Sequence, residues 1–130
     1  MALRLFIRRP VMHPHANPEF RDCIEACWTC RDTCQSLLFN HCIEHGGAHT
    51  APAHIRLMAD CIQMCQAAAD FMTRGSKMHA IVCNACAATC EACARSCEEI
   101  GDEEMKRAAK ACRACAESCW DMARHAGLAA

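Results

Sequence analysis

Small apolar and sulfur-bearing residues recur at steps of three and four along most of this chain, and charged residues fill the positions between them. One stripe runs Cys23, Cys27, Cys30, Cys34, Leu38, His41 and His45, with Arg21, Asp22, Glu25, Arg31 and Asp32 lying off it. A second passes through His54, Met58, Cys61, Cys65, Ala68 and Met72. The third begins at His79 and continues through Cys83, Cys86, Cys90, Cys93 and Cys97. The fourth contains Met105, Ala108, Cys112, Cys115, Cys119 and Met122, with Arg107, Lys110, Arg113 and Glu117 on the other face. Steps of three and four hold a residue on one side of a helix. Four amphipathic helices are predicted, each turning one stripe inward and a charged face to water.

Helix punctuation agrees with that division. Asn17 and Pro18 read as an N-cap and first turn, and Gly46-Gly47 ends the helix they open. Thr50 and Pro52 start the second, which stops near Arg74-Gly75. Ser76 caps the third, which runs to Ile100. Asp102 caps the fourth, with Glu103 and Glu104 in its first turn, and Gly127 lies just past its end. Helices of about 22 to 27 residues, roughly 33–40 Å long, joined by short links, predict an all-α, up-down-up-down antiparallel four-helix bundle. The bundle is expected over residues 17–127. Residues 1–16 are expected as an arm, either loose or packed outside through Leu3, Leu5, Phe6 and Ile7.

Composition changes what such a bundle can contain. Of 130 residues 15 are Cys, only 4 are Phe and 2 are Trp, and there is no Tyr, so sulfur must supply much of the interior. A net charge of −1 offers no electrostatic case for nucleic acid or an anionic membrane. No apolar run approaches the ~20 residues of a bilayer span. A disulfide scaffold is the first alternative, but an odd number of cysteines leaves a thiol over. An export signal is not expected, since Arg8-Arg9 is followed by Pro10 to His15 where an apolar segment belongs. A cytoplasmic location follows as the expectation, and in a reducing compartment a Cys-rich chain is better suited to metal or redox chemistry than to stapling.

Fourteen of the fifteen cysteines fall on the stripes; Cys42 falls off the strict register. So many thiols would make a weakly hydrophobic core, poorer than Leu or Ala. Neighbours three or four apart on a helix have Cβ atoms ~5–6 Å apart, too far for a disulfide but suited to a shared ion. Soft sulfur ligands select Cu(I), Zn(II) or iron–sulfur clusters. The helical setting of Cys112 and Cys115 argues against a cluster. Several Zn(II) ions with four thiolates each would stack negative charge in a dry core, whereas one Cu(I) per thiolate leaves it neutral. Multiple Cu(I) ions are therefore expected, and no catalytic residue is assigned. One bundle pole gathers His41, Cys42, His45, His49, His54, Met58 and Met105. The other gathers Phe20, Met72, Met78, His79, Met122 and His125. The first pole is the expected entrance. A thiol redox buffer or enzyme, and a zinc reservoir, are the alternatives.

The repeated Cys-x-x-x-Cys steps at 23–27, 30–34, 61–65, 86–90, 93–97 and 115–119, on four helices, resemble the bacterial copper storage proteins over about residues 18–126. The resemblance implies storage or sequestration of many Cu(I) ions by inward cysteines, commonly in a homotetramer. It also implies the cytosolic branch, without an export signal. A copper donor or acceptor protein is a further expected partner.

Overall fold

The computed structural model describes residues 17–125. The expected arm at 1–16 and the expected stop at Gly127 lie outside the described residues. Asn17 opens the first helical turn, its side chain accepting the Glu19 amide at 3.0 Å, and Pro18–Phe20 forms a 3-10 turn leading into helix α1, Arg21–Leu37. The chain continues through a π-helical turn at Leu38–Cys42 and a last α turn at Ile43–His45. A 3-10 turn at Gly47–Thr50 precedes α2, Pro52–Thr73; α3 is His79–Ile100 and α4 is Glu103–His125. Each helix packs on the next and α4 returns to α1, which closes an antiparallel four-helix bundle around one core.

Most of the start and stop signals act where the residues place them. Asp102 Oδ1 accepts the Met105 amide at 2.9 Å, so the expected cap of α4 forms. Gly101 ends α3 in the left-handed conformation (φ 80°) that glycine adopts without steric cost. Ser76 falls short of its expected role: it accepts the Met78 amide at 3.0 Å in a turn, and α3 begins only at His79. Thr50 donates to the Gly47 carbonyl at 3.1 Å instead of capping α2, which starts at Pro52 after Ala51.

The core owes its narrowness to alanine as much as to cysteine. Ala68, Ala69, Ala87, Ala94, Ala108 and Ala116 are buried beside the cysteine stripes. Small side chains at helix contacts let the helices approach more closely than large ones do. That close approach is what lets sulfurs on different helices meet. Ile24, beside the first stripe, is wholly buried within the bundle. Outside, Arg113 pairs with Glu98 through two hydrogen bonds of 2.8 and 3.1 Å, tying α4 to α3 on the solvated face.

Candidate metal centre

All fifteen cysteines are buried free thiols. They line a column along the bundle axis, and most lie within 3.9 Å of another sulfur. At one end Cys23, Cys83 and Cys119 group together, with Cys23 and Cys119 sulfurs 3.7 Å apart. Cys27 links this group inward, 3.7 Å from Cys119 and 3.6 Å from Cys115. Cys65 then lies 3.7 Å from Cys115, 3.6 Å from Cys90 and 3.9 Å from Cys86. Cys61 bridges onward, 3.7 Å from Cys90 and 3.6 Å from Cys30. Cys112 meets Cys30, Cys34 and Cys61 at 3.7, 3.6 and 3.8 Å. Cys93 and Cys97 are fully buried on the same stripe of α3.

These contacts run mainly between helices. Within one helix, Cys86 and Cys90 approach to 3.8 Å. The short sulfur contacts thus lie chiefly across the core and not between stepwise neighbours on a single helix. The spacing suits metal. Sulfurs about 2.3 Å from an ion lie roughly 3.8–4.0 Å apart in tetrahedral or trigonal coordination. The helices need scarcely move to accept ions between them.

Cys42 departs most from the sequence reading. The expected register carried the stripe through His41 to His45, yet Cys42 is fully buried, His41 is only partly covered and His45 is exposed. The π-helical turn at Leu38–Cys42 adds a residue to the turn, so the position below Leu38 on the inner face is Cys42. His41 is thereby rotated to the rim, and His45 falls one turn further out at the helix end. The Cys42 sulfur lies 3.8 Å from each of His54 Nε2, Met58 Sδ and Met105 Sδ. Four expected ligands therefore form one mixed layer that closes the column at this pole.

His54 is oriented by a residue the sequence did not single out. Ser96 Oγ lies 2.8 Å from Nδ1 and aims the opposite nitrogen at Cys42. When Nδ1 donates to Ser96, Nε2 keeps its lone pair for a metal. Burial, and then the neighbouring His49, hold this imidazole below its ordinary pKa and hence neutral, the form that coordinates. Burial also pushes the Cys42 thiol up to about 11, with the charges of Cys97 and Asp102 adding to it. Deeper in, Cys112 is raised first by its neighbours Cys30, Cys34 and Cys61 and then by burial. Thiols so close together in a dry core resist ionising alongside one another, and a cation that displaces each proton removes the obstacle.

Above the mixed layer, His41 and His49 both face Asp102, at 2.9 and 2.8 Å from Oδ2. Asp102 was legible only as a helix cap. Its burial works to raise the carboxyl, but the Met105 amide and the two imidazoles outweigh it and hold it well below the usual carboxylate range. A cleft beside this pole is lined by His45, His49, His54, Ser96 and Glu99 among others. At the far pole Phe20 is buried against His79, ring centroids 4.6 Å apart, while Met78 is exposed.

A family model described as copper storage protein matches residues 16–124. The Nmul_A1745 protein of Nitrosospira multiformis is 42% identical and superposes with a TM-score of 0.78, covering 82% of this chain and 96% of that one. The Cu(I)-bound copper storage protein BsCsp3 is 34% identical, with a TM-score of 0.76 over 81% of this chain and 98% of its own. The copper storage protein Ccsp of Streptomyces lividans, loaded with 10 copper equivalents, is 25% identical, with a TM-score of 0.75 over 92% and 95% of the two chains. No curated protein matches.

Proposed function

The chain belongs to the copper storage protein family, and we propose that its bundle stores Cu(I) on the column of fifteen buried thiols. The observation that carries this reading is continuity. Sulfur follows sulfur at 3.6–3.9 Å from Cys23 through Cys112, with no single pair set apart. One Cu(I) per displaced proton keeps such a core neutral, so capacity grows with the number of thiols and does not stop at one closed site. The ligands we assign are the fifteen cysteines with His54, Met58 and Met105. Disulfide exchange requires accessible thiolates, and these thiols are buried. The role is binding and release, not catalysis.

Copper enters, in this reading, at the pole of His54, Met58 and Met105, where imidazole and thioether can hold it without losing a proton. The bundle at 17–127 carries the function, and the cytoplasm, which keeps thiols reduced, is the compartment it suits. Among the described residues no helix is long and apolar enough to cross a membrane. Exposed Phe39 and Ile43, four apart on one face, supply apolar surface for a homotetramer. A copper donor or acceptor protein would meet the loading pole.

Anaerobic titration with Cu(I) against a chromogenic chelator should saturate at about ten or more equivalents per chain, in keeping with the soft-ion preference of thiolates. Saturation at one or two equivalents would overturn storage, and tighter retention of Zn(II) than of Cu(I) would favour a zinc reservoir.

The mixed layer adds a pH dependence of known sign. A thiol raised to about 11 is protonated at neutral pH, so copper must displace its proton. Affinity at this layer should rise roughly tenfold per pH unit up to that value. Chelator competition at several pH values should give a shallower dependence for the last ion bound in Cys42→Met than in the unmodified protein. Equal slopes would mean that Cys42 is not a ligand.

A further inference from the structure

The cluster above the thiol column contains no sulfur. His41 comes from the π-helical turn after α1, His49 from the 3-10 turn before α2, and Asp102 from the cap of α4. Their ligating atoms all lie within 4.8 Å of one another. We propose that His41, His49 and Asp102 form a binding site for one divalent ion of borderline softness, such as Zn(II), separate from the Cu(I) store.

The chemistry of the donor set is the first support. Two imidazoles and a carboxylate suit Zn(II), Co(II) or Ni(II), whereas Cu(I) is drawn to the thiolates further in. The geometry is the second. An ion about 2.0–2.2 Å from nitrogen and oxygen ligands separates them by roughly 3.3 Å in a tetrahedron. Both imidazole Nε2 atoms now converge on the same Asp102 oxygen, at 2.9 and 2.8 Å. Opening the group by about half an ångström would admit the ion. A hydrogen bond that merely tied the turn to α4 would need one histidine, not two aimed at one oxygen.

The three groups are also held ready. Asp102 Oδ1 is engaged by the Met105 amide, which fixes the carboxylate with Oδ2 turned toward the two imidazoles. His49 is 5% exposed. Gly46, at φ 73° and ψ −161°, adopts a backbone conformation essentially confined to glycine and turns the chain back so that His49 meets His41. His45 stacks beside this group, its ring centroid 3.9 Å from that of His49.

The test fills the thiols with Cu(I) under anaerobic conditions and then titrates Co(II). One equivalent should bind, with visible ligand-field absorption of nitrogen and oxygen coordination and no thiolate-to-cobalt charge transfer, and Zn(II) should displace it. Asp102→Asn keeps the helix cap, since Asn caps as well as Asp, but removes the charge. His49→Gln removes one imidazole. Each should weaken Co(II) binding about tenfold or more, as losing even an outer partner of a metal ligand does. Unchanged Cu(I) capacity in both variants would show the bundle intact, and His79→Gln at the far pole should bind Co(II) normally. Absence of Co(II) binding, a charge-transfer band, or failure of either variant to weaken binding would overturn the assignment.

Discussion

Replacing Cys61 and Cys112 together with alanine should remove roughly a third of the saturating Cu(I), more than two thiols' proportional share, because bridged neighbours do not contribute independently. Cys112 reaches Cys30, Cys34 and Cys61, while Cys61 reaches Cys30, Cys90 and Cys112. Their loss strips Cys30 and Cys34 of the sulfurs within 3.7 Å of them on other helices, and leaves Cys30 only the wider group with Cys65, Cys90 and Cys115. A neighbouring thiol left without a second sulfur holds copper poorly, so ions are lost beyond the two deleted ligands. Far-UV circular dichroism of the metal-free variant should stay helical, since Cys→Ala removes one sulfur from each site and the core is already rich in Ala. The serine pair keeps the volume and should lose the same capacity. A capacity reduced by two ions or fewer would mean that sulfurs act singly and that the cross-helix contacts do not bind.

Loading rate should respond to a different pair. Met58→Leu with Met105→Leu should slow Cu(I) uptake and chelator-driven removal by about tenfold, near 1.4 kcal/mol of barrier, while lowering capacity by about one ion at most. Both thioethers sit 3.8 Å from the Cys42 sulfur, on α2 and α4, at the end of the column. A thioether binds Cu(I) weakly and without releasing a proton, so it can pass an ion to thiolates that hold it more tightly. Leucine fills the same space and offers no lone pair. The pair to change is Met58 and Met105, in place of the His41 and Met58 that the sequence register would select, because His41 stands at the rim. Stopped-flow measurement of uptake and release decides the matter. Unmodified rates in the double variant would place the entrance at the other pole or along a helix interface.

Much of this molecule can be read from residue spacing because helical periodicity is local. Steps of three and four assign Cys23 to one face with Cys34, and Cys83 with Cys97, without knowledge of any other helix. Caps are local too, and Asn17 and Asp102 act as their types and positions predict. The four stripes, the inward thiols and the soft-metal chemistry follow from such rules. Ser76 and Thr50 mark their limit, since a cap residue can satisfy a turn just as well as a helix end.

What the spacing leaves open depends on contacts between helices or on departures from ideal geometry. Extrapolating a regular helix past Leu38 puts His41 on the seam and Cys42 off it, and the π-helical turn reverses the two. That extra residue costs backbone regularity, and burial of Cys42 beside His54, Met58 and Met105 offsets the cost. Periodicity shows which residues face inward but not which sulfurs meet, because cross-helix register is set by how closely alanine lets the helices approach. Asp102 illustrates both levels at once. Its role as a cap is a property of four consecutive residues, whereas its convergence with His41 and His49, 61 and 53 positions away, exists only once the bundle and the turn at Gly46 have formed.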